Sequence, residues 1–252
     1  MKRWESLFWP ALVAATGLTV WALGVRLTHT SIFPSPVSVY RGLVELVSKG
    51  LLWRYIADSL FRVGSGFGLA LVTGVPLGIV LGYYPVAFKT INPVIQIMRP
   101  ISPLAWIPLS IVWFGVGNLA AVFLIFLAAF FPLVMATING VRNIPEIYLR
   151  AGHNFGLSPA AVLSRVMFPA ALPQILIGLR ISLGVAWLVV VAAEMIAVDS
   201  GLGYLIIDSR NAGKRYDLVV AGMLLIGVIG LGLDTAIARL DRLNFIRRGK
   251  SL

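Results

Sequence analysis

Long apolar runs are the feature that most restricts how this chain can fold. One run extends from Leu7 to Val25, another from Leu60 to Gly82, and four more follow before the C-terminus. About 20 consecutive apolar residues are what an α-helix needs to cross the hydrocarbon core of a bilayer. Non-helical backbone would leave N–H and C=O groups unsatisfied in that core. We therefore predict an all-α membrane protein with about six transmembrane helices.

Composition supports this fold class and excludes several functions. Of 252 residues, 59% are hydrophobic and 12% are charged, and the mean hydropathy is +0.91, too apolar for a water-soluble domain. Without cysteine, the chain has no disulfide, thiolate metal site or cysteine nucleophile. The net charge of +11 is scattered over loops and termini instead of forming the aromatic-interleaved stripe typical of nucleic-acid binding.

One long segment, Glu146 to Pro173 (EIYLRAGHNFGLSPAAVLSRVMFPAALP), is too polar for a bilayer although apolar runs flank it. Asn143 is predicted to cap a first helix, with Pro145 in its first turn and Glu146 completing a capping box. Glu146 and Arg150 are spaced as an i,i+4 ion pair.

A second helix is predicted in the same segment. Gly156 supplies a left-handed stop, and Ser158 with Pro159 begins a new helix. Pro169 and Pro173 are predicted to end that helix. The segment is therefore a helix-turn-helix that should meet a soluble partner; the plainer alternative is an ordinary amphipathic cytosolic loop.

The spacing within this segment resembles the EAA motif, E-A-A-x3-G-x9-I-x-L-P, of binding-protein-dependent ABC importer permeases. The matching positions are Arg150, Ala151, Gly152, Gly156, Val166, Phe168 and Pro169, and four of the letters differ from the motif. The segments RPISPLAWIPLSIVWFGVGN and LPQILIGLRISLGVAWLVVVAAEM resemble the nitrate/sulfonate/taurine/bicarbonate group of that family. The resemblance extends from Ile32 to Asp241.

The resemblance implies a type I ABC importer permease fold, in which the motif forms a coupling helix that docks into a separate ATPase subunit. It assigns ATPase coupling to Arg150, Ala151, Gly152, His153, Phe155, Gly156 and Pro169. In the residues themselves, Ala151 and Gly152 are predicted to keep the helix surface thin enough to enter a cleft. Ile147 and Phe155 would flank them with apolar contact area.

The resemblance also implies the partners and the location. Two ATP-binding subunits would hold ATP and Mg, and this chain would bind no cofactor. A second permease copy, forming a homodimer, and an external solute-binding protein would complete the complex in a bacterial cytoplasmic (inner) membrane. The cargo would be a small anion: nitrate, bicarbonate, a sulfonate or taurine. Thiamine precursors or other aromatic solutes are the alternative cargo, suited to Trp106 and Trp113.

The third apolar region contains a polar face beside a set of prolines. Asn92, Gln96 and Arg99 lie at i, i+4 and i+7, which places them on one helical face. Pro100, Pro103 and Pro108 must interrupt the helix. We predict that this face borders the translocation path; the alternative is a cytosolic helix start with Arg99 snorkelling to the interface.

Two further ionisable residues lie in apolar surroundings. Arg62 is assigned to the path with the polar face of the third region, as a second guanidinium that could attract oxyanions. Glu194, in the fifth span from about Leu172 to Val198, is either part of a structural pair or close to the outer headgroups, and we favour the pair. A stand-alone secondary transporter would need such a carboxylate and an inverted repeat, and the sequence contains no repeat.

The remaining segments predict a short helix, a closely packed second span and two loops. Ser35, Pro36 and Gly50 bound a short amphipathic helix, either on the outer membrane surface or packed on the spans. The second span carries Gly64, Gly68, Gly74, Gly78 and Gly82 in small-xxx-small spacing, which predicts close helix packing. A short loop with Lys89 precedes the third region, and Asp199 to Asp217 is predicted to be an outer loop.

The domain prediction is one transmembrane permease unit, residues 1–252. It comprises the first span and outer segment (1–56), a core (57–241) with the coupling loop (142–173), and a basic cytoplasmic tail (242–252). Six spans place both termini on one side, and basic residues in the termini and the coupling loop make that side cytoplasmic.

Enzyme chemistry is not predicted for this chain. Gly249-Lys250-Ser251 lacks the first glycine of a P-loop, and Gly201-x-Gly203 lacks the third glycine of a dinucleotide fingerprint. His29 and His153 fall in loops on opposite sides of the membrane, which excludes a shared metal. No catalytic residue is assigned, and the chain is expected to be a non-catalytic membrane subunit.

Overall fold

The computed structural model describes residues 5–28 and 32–249, and the secondary structure of those residues consists of helices joined by short connections, with no strand. The all-α prediction is therefore confirmed. The α-helices of the described residues, in chain order, are α1 (Glu5–Thr28), α2 (Pro36–Ser48), α3 (Leu51–Tyr83), α4 (Pro85–Met98), α5 (Ile107–Phe114), α6 (Asn118–Arg142), α7 (Glu146–Asn154), α8 (Pro159–Val162), α9 (Phe168–Ile196), α10 (Leu202–Gly213) and α11 (Tyr216–Gly249). His29 and Ser31 lie outside the described residues.

Four stretches of helix are long and apolar enough to cross a membrane: Leu51–Tyr83, Asn118–Arg142, Pro159–Ile196 and Tyr216–Arg239. A fifth candidate is the pair Pro85–Met98 and Pro103–Phe114, whose axes differ by 82°. A shorter apolar helix occupies Ala11–Leu27. The six predicted spans fall on these stretches, of which four, or five with the bent pair, are long and apolar enough to cross a membrane among the described residues.

Helix α6 lies at the centre of the bundle, packed against α3 and α9. Glycines on one face of α3 allow the close approach: a Cβ at Gly66 would meet Ile125, one at Gly78 would meet Thr137, and one at Gly82 would meet Val141. Close packing was predicted for this helix, and the neighbour is α6 of the same chain. Gly64 and Gly68 face away, with no atom within 4 Å of an added Cβ.

The third apolar region is broken as the prolines predicted. Helix α4 ends at Met98, a 3-10 turn covers Pro103–Trp106, and α5 follows at a steep angle. Pro100 has no N–H to donate to the Gln96 carbonyl, so the helix cannot continue unchanged. The prediction of a loop at Lys89 is wrong, because α4 already begins at Pro85 and Lys89 lies in its second turn.

The prediction that Pro169 and Pro173 end a helix is also wrong. Helix α8 continues through a π-helical segment, Leu163–Met167, into α9. The Phe168 N–H donates to the Leu163 carbonyl, five residues back. This wider turn, immediately before Pro169, accommodates the missing proline donor without ending the helix.

The segment predicted as an outer loop, Asp199 to Asp217, is mostly helix α10. Gly201, at a φ of 108°, begins the helix. A Cβ at Gly203 would overlap the Val191 carbonyl oxygen, so this glycine lets α10 lie directly against the end of α9. The apolar residues of α10 are buried by this packing, which a loop would not achieve.

Helix α2 begins and ends as predicted. The Ser35 hydroxyl accepts from the Ser38 N–H at 3.2 Å, and Gly50 has a φ of +69°. Val39 and Leu46 are buried, and Gly42 lies against Leu218 at the start of α11. Of the two interpretations offered for α2, the structure therefore supports a helix packed on the spans.

Candidate functional site

The segment between α6 and α9 forms the predicted helix-turn-helix, which we call the elbow (146–162). Helix α7 ends before Gly156, whose φ of +72° reverses the chain. The Leu157 N–H donates to the Gly152 carbonyl at 3.1 Å, and the Ser158 hydroxyl accepts from the Ala161 N–H at 3.3 Å. The glycine stop and the serine start are both confirmed.

The predicted cap at Asn143 is wrong. Helix α6 runs through to Arg142, and the Asn143 N–H donates to the Asn139 carbonyl, so Asn143 ends α6 instead of beginning α7. Glu146 is the first residue of α7 and makes the predicted i,i+4 ion pair with Arg150 at 3.0 Å. Both side chains are exposed, so this pair adds little stability.

The elbow presents an apolar outer surface. Ile147 is 70% exposed, Tyr148 57% and Phe155 86%. Large apolar side chains exposed together mark a surface that another molecule covers. Ile147 and Phe155 were predicted to flank the contact, and both are available to a partner.

Gly152 has a different role from the predicted one. It is buried, and a Cβ there would lie 3.5 Å from Val162 and Val166. Gly152 therefore lies on the inner side of α7, against the chain that leads into α9, where an added Cβ would make only ordinary contact, and it does not thin the outer surface. Ala151 and Pro169 are half-buried. The side chain of His153 lies outside the described residues.

Arg62 and Glu194 meet in a buried ion pair between α3 and α9. Arg62 Nη1 lies 2.6 Å from Glu194 Oε1, and the side chains are 2% and 0% exposed. The guanidinium also donates to Asn118 Oδ1 at 2.8 Å, to the Ser200 carbonyl at 2.7 Å and to Ser200 Oγ at 2.6 Å. The structure thus pairs Glu194, as the favoured interpretation had it.

The second carboxylate oxygen of Glu194 binds the start of α10. It accepts from the Ser59 hydroxyl at 2.8 Å and from the Gly203 N–H at 2.9 Å. Ser59 in turn accepts from the Leu202 N–H at 3.0 Å. The pair and its partners, which we call the polar hub, join α3, α6, α9 and α10. Ser59, Asn118 and Ser200 were not predicted to be site residues. The only indication of this contact region in the sequence is the glycine pair Gly201-x-Gly203 that follows Glu194.

The polar face of α4 lies apart from the hub. Asn92 is half-buried, and its Oδ1 atom has no hydrogen-bond partner among the described residues. Gln96 and Arg99 are exposed. Among the residues that the structure describes, Arg99 makes no ion pair. Arg99 directly follows the last residue of α4, whereas Lys89 lies near the first, so Arg99 is not at a helix start.

Arg99 borders a cavity of about 170 Å³ at the break between α4 and α5, which we call the Arg99 cleft. The other lining residues are apolar, and they come from the broken region, from α6 and from α9: Ile101, Pro103, Trp106, Leu127, Ala128, Phe131, Pro132 and Val185. Trp106 also contacts Trp113 and Phe123, with ring centroids 6.4 and 6.5 Å away. Of the path residues predicted from sequence, Arg62 and Glu194 therefore lie in the hub and Arg99 borders this cleft. Asn92 and Gln96 lie on α4 and are not among the residues that line the cleft.

Comparison with known proteins identifies relatives over most of the chain. A family model described as the inner membrane component of binding-protein-dependent transport systems matches residues 74–244. The chain is 37% identical over 234 residues to the taurine transport system permease protein TauC of Escherichia coli K12, covering 89% of this chain and 84% of that protein. It is 35% identical over 244 residues to the nitrate import permease protein NrtB of Synechocystis sp. strain PCC 6803, with 93% and 88% covered.

A solved structure has the same fold. A chain of the MetNI methionine ABC transporter, in an inward-facing conformation, matches with a TM-score of 0.68 at 20% identity. The match covers 77% of this chain and 96% of that one. It identifies the arrangement of helices as that of an ABC importer permease.

Proposed function

The chain belongs to the family of inner membrane components of binding-protein-dependent transport systems and is the permease subunit of an ABC importer, and on that premise we propose how it works. It forms part of the path by which a small oxyanion crosses the membrane. The candidates are taurine, another sulfonate, nitrate and bicarbonate. The relatives named for taurine and nitrate transport support this choice.

ATP hydrolysis belongs to separate subunits, which dock on the elbow. The observation that carries this proposal is the exposed apolar surface of Ile147, Tyr148 and Phe155 on a helix that folds directly onto the chain leading into α9. A force applied to α7 reaches α9 through buried Gly152 and the continuous helix beyond Pro159. Arg150 completes the docking surface, and the family resemblance assigns His153 to the same coupling role.

The full complex has two ATPase subunits, a second copy of this chain and an external solute-binding protein. ATP and Mg are held by the ATPase subunits, and this chain binds no cofactor. The elbow and both termini face the cytoplasm. Helix α2 and the α10–α11 connection face outward, where the solute-binding protein docks.

The coupling proposal is tested by Gly156→Val, with Gly156→Asn as the matched control. Valine is strained at a φ of +72°, so the turn is expected to reorganise and ATP-driven uptake by reconstituted vesicles to fall sharply. Asparagine adopts left-handed backbone far more readily and is expected to retain most uptake. Wild-type uptake by the valine variant would show that this turn does not transmit the work of the ATPase.

A further inference from the structure

We propose that the Arg99 cleft is a binding site for an oxyanion headgroup carried on a short apolar chain, such as a small organic sulfonate. The inference rests on the proposed function, since it names the class of solute that the path accepts and the residue that holds it. Arg99 binds the headgroup, and Trp106, Phe131 and Val185 contact the apolar chain. A bare inorganic anion fills only the charged end of this site.

Arg99 and Arg62 differ in whether their charge is balanced by a neighbouring carboxylate. Arg62 is 2% exposed, its charge is neutralised by Glu194, and all its nitrogens donate within the hub. Arg99 is exposed and is the one charged residue among those lining its cleft. A guanidinium binds planar or tetrahedral oxyanions with paired hydrogen bonds, and its attraction is stronger beside low-dielectric walls.

The position of the cleft suits a transport path. Helix α4 has 14 residues, so Arg99 lies about 21 Å along the helix axis from its first residue. Leu127 to Pro132 occupy the middle of the 25-residue α6, and Val185 lies near the middle of the 29-residue α9. The cleft is therefore at mid-height in the bundle, where an unpaired charge is costly and needs a functional reason.

The size and lining of the cleft select for a solute with an apolar part. An apolar cavity of about 150 Å³ accommodates benzene, which has six heavy atoms. At about 170 Å³, the Arg99 cleft has room for a solute near that size, such as ethanesulfonate, whereas nitrate has only four heavy atoms. Apart from Arg99, the side chains that line the cleft gain from contact with carbon, and only that of Trp106 carries a hydrogen-bonding group.

The test uses the copurified transporter complex in detergent, without the solute-binding protein. Saturation-transfer NMR detects magnetisation passed from the protein to the protons of weakly bound ethanesulfonate. We expect a clear signal with the wild-type complex and none with ethylammonium, which has a similar chain and the opposite charge. Equimolar nitrate is expected to compete only weakly, because it gains nothing from the apolar walls.

Arg99→Gln removes the charge and is expected to weaken ethanesulfonate binding roughly tenfold or more, the effect of losing charge-assisted hydrogen bonds. Lys89→Gln is the matched control: it removes an exposed positive charge from the same helix and is expected to leave binding unchanged. Val185→Phe should reduce ethanesulfonate binding by filling the cleft. Each variant is scored only if it copurifies with its partners as the wild type does.

Equal signals from wild type and Arg99→Gln would overturn the assignment of the site, and displacement by nitrate at equal concentration would overturn the need for an apolar chain. ATP-driven uptake by the wild-type complex is measured in parallel. If uptake is present without Arg99-dependent binding, only this inference fails. If binding is present but uptake does not depend on ATP, the proposed function fails instead.

Discussion

At the residue scale, the Arg62–Glu194 pair shows how an ionisable group is kept within an apolar bundle. Removing two charges from water is costly, and their attraction compensates only when further hydrogen bonds satisfy the remaining atoms. Here Ser59, Ser200 and the Gly203 N–H supply those bonds. The hub therefore fixes the start of α10 relative to α3 and α9, and it leaves no free charge for a passing solute.

The effects of replacing Arg62 and Glu194 on the free energy of unfolding should depend on each other. Glu194→Leu leaves the Arg62 guanidinium buried without its counter-ion, and a broken buried pair is expected to cost about 3–5 kcal/mol. Adding Arg62→Met removes the orphaned charge and should restore a substantial part of that loss. Thermal unfolding of the purified protein in detergent measures both variants. A double variant no more stable than Glu194→Leu would show that the hub depends on hydrogen bonds alone.

At the element scale, α2 is attached to the start of α11 by an ionic link outside the bundle. Arg215 Nη2 lies 2.6 Å from Glu45 Oε2, and Lys49 Nζ lies 2.6 Å from Glu45 Oε1. Arg215 also pairs with Asp217 at 2.8 Å. Hydrogen bonds from Arg215 and then Lys49 lower the pKa of Glu45 from 4.5 to about 2. Since that pKa is lower in the folded state, the link stabilises the protein above pH 4.5 and is lost as the pH falls to about 2.

Comparison of the wild type with Glu45→Gln isolates this link. The variant lacks the carboxylate at every pH, so the wild type is expected to be the more thermostable of the two above pH 4.5. The difference should shrink below pH 4.5 and vanish near pH 2, as Glu45 becomes protonated. Thermal unfolding of both proteins across this range is the measurement. A difference that stays constant with pH would exclude Glu45 ionisation as its source.

At the scale of the whole molecule, the number of helices between α2 and the elbow puts these two surfaces at opposite ends of the bundle. Helix α3 leads away from α2, and α6 leads into α7, with the broken α4–α5 pair between them. If that pair crosses the membrane once, three crossings separate α2 from the elbow. The proposed orientation, with the elbow in the cytoplasm, follows from this count and from the basic residues near the elbow.

The absence of native cysteine makes the orientation directly measurable. Ser48→Cys at the end of α2 and Asn154→Cys at the end of α7 each introduce a single exposed thiol. A membrane-impermeant maleimide is expected to label Ser48→Cys in cells with an intact inner membrane and Asn154→Cys only after permeabilisation. Labelling of both from the same side would contradict three crossings, and the reverse pattern would invert the proposed orientation.

The sequence by itself determined the fold class, the approximate spans and the elbow. These properties follow from local rules: apolar run length sets a span, Gly156 favours left-handed backbone, and Ser158 caps a helix wherever the chain lies. The break after Arg99 follows equally locally from the prolines. The resemblance in spacing around Gly156, together with that of the segments RPISPLAWIPLSIVWFGVGN and LPQILIGLRISLGVAWLVVVAAEM, predicted the family.

Only the tertiary structure decided which polar groups meet and where proline is tolerated. Arg62 and Glu194 are 132 residues apart, and nothing in either neighbourhood specifies the other. Helix α10 forms because α9 offers a surface that buries its apolar residues, and Pro169 stays within a helix because a π turn absorbs the missing donor. Among the residues that the structure describes, Arg99 makes no ion pair for the same reason: the partners of a side chain depend on which helices pack together, and local propensity does not encode that.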